Sequence, residues 1–127
     1  MRTNVLKYLL LIGFLTVSTC VFAGNFPAST VMLQSVTAVG VGSNFSATSA
    51  NRTFQATETG TGTVSATVEV QASDDGVGWV TLGTITLSGT SPATDGFASS
   101  AAWQEVRGNV TAISGTSAAV TLTMGVQ

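Results

Sequence analysis

Residues 63–70 read Thr-Val-Ser-Ala-Thr-Val-Glu-Val, with every second position apolar and the others polar. A period of two belongs to a β-strand with one face buried and the other wet. The alternation returns at residues 118–126, which predicts Val120, Leu122, Met124 and Val126 inward and Thr121 and Thr123 outward. Residues 106–112 predict another strand, with Val106, Val110 and Ala112 facing in and Arg107, Asn109 and Thr111 facing out. Weaker strand patterns run from Val31 to Val41 and from Arg52 to Thr57. Between Trp79 and Leu87 the parity changes: Val80 and Leu82 share one side, Ile85 and Leu87 the other. Gly83 stands at the change, as a bulge or a bend between sheets would place it, and a corner is the expectation.

Turn chemistry punctuates these runs. Thr59-Gly60-Thr61-Gly62, Asp74-Asp75-Gly76, Ser88-Gly89-Thr90-Ser91 and Ser114-Gly115-Thr116-Ser117 set glycine beside side chains that bond local backbone. Asp75-Gly76 predicts a hairpin, and Ser114–Ser117 predicts a second one joining residues 110–113 to 119–124. The stretch from Gly89 to Ala102, with Pro92, Asp95 and Phe97, is expected to be a loop crossing between sheets. Seven or eight short strands without a helical period define an all-β chain. One antiparallel layer would leave its apolar face wet, so the expectation is a single antiparallel β-sandwich of jelly-roll or immunoglobulin-like type.

The first 23 residues differ in kind. Arg2 and Lys7 precede an apolar run from Leu9 to Leu15, and Val21-Phe22-Ala23 offers small residues where a signal peptidase cuts. This is the layout of a signal peptide, expected as a helix cleaved after Ala23. Export to the periplasm, the cell exterior or a surface follows, with no stable membrane insertion after cleavage. The alternatives are a retained membrane anchor and a lipoprotein using Cys20. The anchor is diluted by Thr16, Ser18 and Thr19, and the lipoprotein reading has Thr19 where a lipobox usually carries Gly or Ala.

Residues 24–127 then form one domain of 104 residues. It carries Arg52 and Arg107 against Glu58, Glu69, Asp74, Asp75, Asp95 and Glu105, a net charge of −4. Nucleic acid is excluded as a partner, because phosphate neutralisation needs clustered Lys and Arg. The same 104 residues contain no His, Cys, Lys or Tyr. Ser-His and Cys-His catalysis and His/Cys zinc sites are therefore ruled out, and no cofactor is expected. Of the carboxylates, Asp74 and Asp75 are adjacent on a turn, and Glu58, Glu69 and Glu105 read as solvated strand positions. A glycosidase pair does not assemble from these, so the chain is not expected to be an enzyme. Asp74, Asp75 and Asp95 are oxygen ligands on loops, but no calcium-loop motif surrounds them, and turn stabilisation is the simpler reading.

Trp79 follows the hairpin turn immediately and Trp103 precedes a strand, places where an indole either closes the core or stacks on a sugar; core or lid is the expectation for both. Arg107 is expected as a surface cation near Glu105 or Glu69. Ser and Thr supply 31 of the 104 residues and charged groups only eight, well below the roughly 25% of ordinary domains. With Lys absent and Pro nearly so, strand edges lack their usual blockers. Such a surface suits protein partners or self-association, with cell-surface carbohydrate as the alternative. The candidate ligand contacts are Trp79, Trp103, Asp95, Phe97, Asp74 and Asp75.

The segment Val68 to Gly125 resembles small β-sandwich proteins of tailed bacteriophages and prophages, some of them virion- or tail-associated. The likeness is carried by Ser73-Asp74-Asp75-Gly76-Val77-Gly78-Trp79-Val80-Thr81-Leu82-Gly83, by Thr94-Asp95-Gly96-Phe97, and by Trp103 with Val106-Arg107 and Asn109-Val110-Thr111. The order of Asp75-Gly76, Trp79 and the later Val106-Arg107 is also similar to discoidin-like binding domains. Both resemblances imply a non-catalytic recognition or assembly module. The discoidin likeness implies ligand contact at loops of one end, although this chain has no basic or Tyr-rich loop tip to match.

Overall fold

A computed structural model describes residues 28–46 and 49–126; the signal segment and its cleavage site lie outside them. Seven antiparallel strands form among the described residues: β1 (Ala28–Val36), β2 (Gly40–Val41), β3 (Phe45–Ser46), β4 (Arg52–Ser73), β5 (Val80–Thr90), β6 (Ala93–Ser99) and β7 (Glu105–Val126). Among the described residues there is no helix. The two 22-residue strands β4 and β7 make the spine, paired from Arg52↔Val126 to Ser73↔Glu105. On the far side of β7 lie β1, β2 and β3; on the far side of β4, β5 follows residues 63–72 and β6 follows residues 52–58.

All seven strands thus belong to one hydrogen-bonded sheet, not to the two separate sheets that the patterning predicted. The apolar face is covered because the sheet folds back on itself. In a straight strand Gly108 and Leu122 would lie roughly 45 Å apart, yet a Cβ on Gly108 would meet the Leu122 side chain at 2.6 Å. The ends of β4 also meet: Arg52 Nη2 donates to the Trp103 carbonyl at 3.3 Å, beside the segment that pairs with Ser73.

The bend runs through every lane of the sheet at the predicted turn sequences. In β4 it falls at Thr59–Ser65 and in β7 at Ser114–Ala119, where the pairing register shifts and Gly62, Gly115 and Ser117 have φ of 76°, 135° and 54°. In the third lane it separates β5 from β6 at Ser91 and Pro92. Ser91 ties two lanes together, its N–H donating to Gly62 O at 2.9 Å and its Oγ accepting from Gly60 N at 2.8 Å.

Several expectations change accordingly. Ser114–Ser117 is a bend within one strand, not a hairpin, because both of its flanks pair with β4 and leave no free edges to pair with each other. The expected crossing loop at 89–102 contains β6, aligned on Arg52–Glu58. The hairpin at Asp75-Gly76 does form, between β4 and β5. Gly83 marks a register shift against Val70 and Gln71, hence a bulge and not a corner. Its missing side chain makes room for the Phe97 ring, whose edge would lie 2.5 Å from a Cβ there.

The core consists of the inward rows of these strands: Phe54 and Ala56, Val64 to Ala72 in alternation, Ile85 and Leu87, Val106 and Val110, Val120, Leu122 and Met124. Val126 packs against it at the end of its row. Ala112 was expected inside and is exposed, because the shift opposite Thr67 and Val68 reverses the parity and turns Ile113 toward the core. Glu58, expected in solvent, is buried on the inward row of β4.

Candidate functional site

The β4–β5 turn gathers three of the candidate residues. Asp75 Oδ1 accepts from the amides of Val77 at 2.8 Å and Gly78 at 2.7 Å and from Ser73 Oγ at 2.9 Å. Ser73 Oγ accepts in turn from the amide of Gly76 at 2.9 Å, and Gly76 supplies a φ of 70°. These donors hold the exposed Asp75 carboxyl below the usual carboxylate range, the Val77 and Gly78 amides contributing most. Asp74 Oδ1 accepts from Gln104 N at 3.2 Å and so fastens the turn to the segment entering β7.

A depressed acid favours folding above its unfolded pKa and loses that contribution as pH falls through the lower folded value. Asp75→Ala is therefore expected to speed amide hydrogen exchange at Val77 and Gly78 at neutral pH, with the gap from wild type closing in acid. Equal exchange rates at neutral pH would show that the carboxylate does not order the turn. Asp95 lies in β6, not in a loop, with its Oδ1 bonded to the adjacent Gly96 amide at 2.8 Å. Among the described residues no group of three His, Cys, Asp or Glu side chains is arranged to hold a metal.

The two indoles part company. Trp103 packs against the core, as expected, with Nε1 buried and without a hydrogen-bond partner among the described residues. Trp79 was expected there too but lies outside the core cluster, half-buried, with the Arg107 guanidinium 3.9 Å above its ring centroid. The cause is the bulge: Trp79 precedes the parity change at Gly83, and the exposed Val80 follows it. Arg107 Nε also donates to Gln71 Oε1 at 2.8 Å, and Gln71 Nε2 donates to Glu69 Oε2 at 3.2 Å. Arg107 therefore reaches Trp79 and Gln71 across the outer face, where acidic neighbours were expected. A cation–π contact of this exposed kind contributes about 0.5–1 kcal/mol.

The six candidates do not converge. Asp74, Asp75 and Trp79 share the β4–β5 turn, and Trp103 joins them only through its neighbour Gln104. Phe97 is partly buried and packs against the core, its ring centroid 5.2 Å from that of Phe54 in a tilted pair. Two shallow depressions lie elsewhere. One of about 350 Å³ is lined by Asn51, Arg52, Thr53 and Ala98–Ser100; the other, about 370 Å³, lies over the bend at Ile113–Ala118. Neither gathers paired carboxylates.

Sequence reasoning missed the two buried charges, Arg52 and Glu58. Burial pushes the Arg52 guanidinium down and the Glu58 carboxyl up, the latter opposed in part by the Ser65 amide. Their signal was parity, since Arg52, Phe54, Ala56 and Glu58 occupy one face of β4.

No family model matches the chain, and no curated protein matches it in sequence. Among solved structures, the chain is similar to the crystal structure of the SPBc2 prophage-derived protein YomS. The two are 15% identical, with a TM-score of 0.55, over 80% of this chain and 94% of that one. At that identity the likeness is one of fold. It agrees with the phage-type resemblance of the sequence and adds nothing to the discoidin-like one.

Proposed function

We propose that this chain is an exported, non-catalytic structural or surface-attachment protein of phage or prophage type, its bent sheet serving as a sandwich-like block that works by packing against protein. The observation that carries this reading is a hydroxyl-rich, charge-poor composition together with a long strand edge at β5 that is open among the described residues. The prophage-derived fold neighbour supports it. Sedimentation of the purified protein, together with affinity recovery of envelope or virion proteins, tests the proposal. Self-association or a recovered protein partner is expected; a monomer at every concentration with nothing recovered overturns it.

A second reading, a module recognising cell-surface glycan, is favoured by one observation. Trp79 is half-exposed beside the polar row Glu69, Gln71 and Arg107, a setting in which indoles stack on sugars. On a glycan array, this reading expects retention that Trp79→Ala abolishes and that Trp103→Ala, a change beneath the surface, affects only through stability. Retention unaffected by Trp79→Ala ends the sugar hypothesis.

A further inference from the structure

The sheet ends in two edges of opposite character. On the β1 side the edge is broken into three pieces, its register slips between Val31 and Leu33 and again between Leu33 and Val36, and Ser35 takes a φ of 48°. Bulges and short pieces are the usual means of making an edge unfit to pair. On the other side, among the described residues, β5 pairs only with β4, in unbroken register from Gly83↔Val70 to Thr90↔Thr63. Alternate residues of that run direct their N–H and C=O groups outward, away from β4 and to no other described strand. Between Val80 and Thr90 there is no charged residue and no proline. Every carboxylate of the domain lies on another strand or in a turn, so a second copy with the same net negative charge meets no like charge there.

Resting on the packing reading above, we propose that β5 is the self-assembly edge, pairing antiparallel with β5 of a second copy about a two-fold axis near Thr86. The pairing is isologous: the blunted β1 edge offers no regular ladder for head-to-tail growth, whereas β5 to β5 closes as a dimer. Ile85 and Leu87 are already buried within each copy, so the new contacts are backbone bonds and the exposed hydroxyl row Thr84, Thr86 and Ser88. Cross-strand Thr and Ser pairs favour that row.

In the Cys20→Ser background, which leaves no other thiol, Thr86→Cys alone and the pair Thr84→Cys with Ser88→Cys are compared under mild oxidation with Ser29→Cys on β1. Disulfide-linked dimers are expected from Thr86→Cys, which the axis sets opposite its own copy, and from the Thr84/Ser88 cysteine pair, whose members face each other across it, and not from Ser29→Cys. Thr86→Lys sets two ammonium groups close together across the axis and is expected to weaken dimerisation by roughly tenfold or more at unchanged circular dichroism. Ser29→Lys is expected to leave it intact. A dimer that survives Thr86→Lys, or that cross-links only at Ser29, overturns the β5 assignment while the packing reading stands. A monomer throughout also overturns it, and the packing reading then falls as well unless a different protein partner is recovered.

Discussion

Glu58→Gln is expected to raise the unfolding free energy at pH 8 by about 1–3 kcal/mol, the desolvation cost of a buried carboxylate charge that the neutral amide does not carry. At pH 3 the two proteins are expected to be equally stable. Glu58 is 0% exposed, and neither of its carboxylate oxygens has a hydrogen-bond partner among the described residues. The Ser65 amide pulls toward the charged form but stands outside full hydrogen-bond geometry, so desolvation dominates and the folded pKa is raised. The sign follows from linkage. Below the unfolded pKa both states hold the proton and nothing is lost; as pH rises toward and through the raised folded value, wild type loses stability that glutamine retains. The protein cover at the bend is thin, which favours the lower half of the range. Urea titrations of both proteins from pH 3 to pH 8 measure this directly. A variant less stable than wild type at pH 8 would mean that the carboxylate has a partner worth more than its desolvation costs.

Phe54→Ala is expected to cost about 3–5 kcal/mol, a large share of the roughly 5–15 kcal/mol by which such domains are stable. The ring is 1% exposed and lies 5.2 Å from Phe97 at an interplanar angle of 34°. Phe97 in turn fills the space left by Gly83. This chain of contacts joins β4 and β6 on one side of the bend to β5 on the other, so its loss removes cover from both halves of the sheet. Thermal unfolding should show a fall in Tm of at least about 12 °C. Phe45→Ala, at a partly buried position on the short β3, should cost clearly less. Equal costs for the two would contradict the fold-back as the source of the core.

Strand content was legible because alternation is local: the inward rows at residues 63–70 and 118–126 follow from polarity alone, and the structure buries Val64, Ala66, Val68, Val70, Val120, Leu122 and Met124. The turn chemistry was legible for the same reason, but its meaning was not. Glycine with Ser or Thr permits a sharp change of direction whether the chain reverses as a hairpin, as at Asp75-Gly76, or bends while remaining paired to the same neighbour, as at Ser114–Ser117. What separates the two is the partner on each side, a long-range fact carried by no short segment.

The candidate site divides along the same line. Asp75 was readable as a turn-former because its donors lie within three residues of it. Whether Trp79 or Trp103 meets solvent depended on a bulge in one strand and on the closing of the sheet ends over the other. By itself, then, the sequence determined that this chain forms strands, where it turns, and which reactive side chains it lacks. The tertiary structure alone decided that the strands make one sheet bent on itself, that Glu58 lies inside it, and that β5 is left as the open edge. Periodicity and turn propensity are properties of neighbouring residues, whereas burial and edge exposure depend on which distant segments pair.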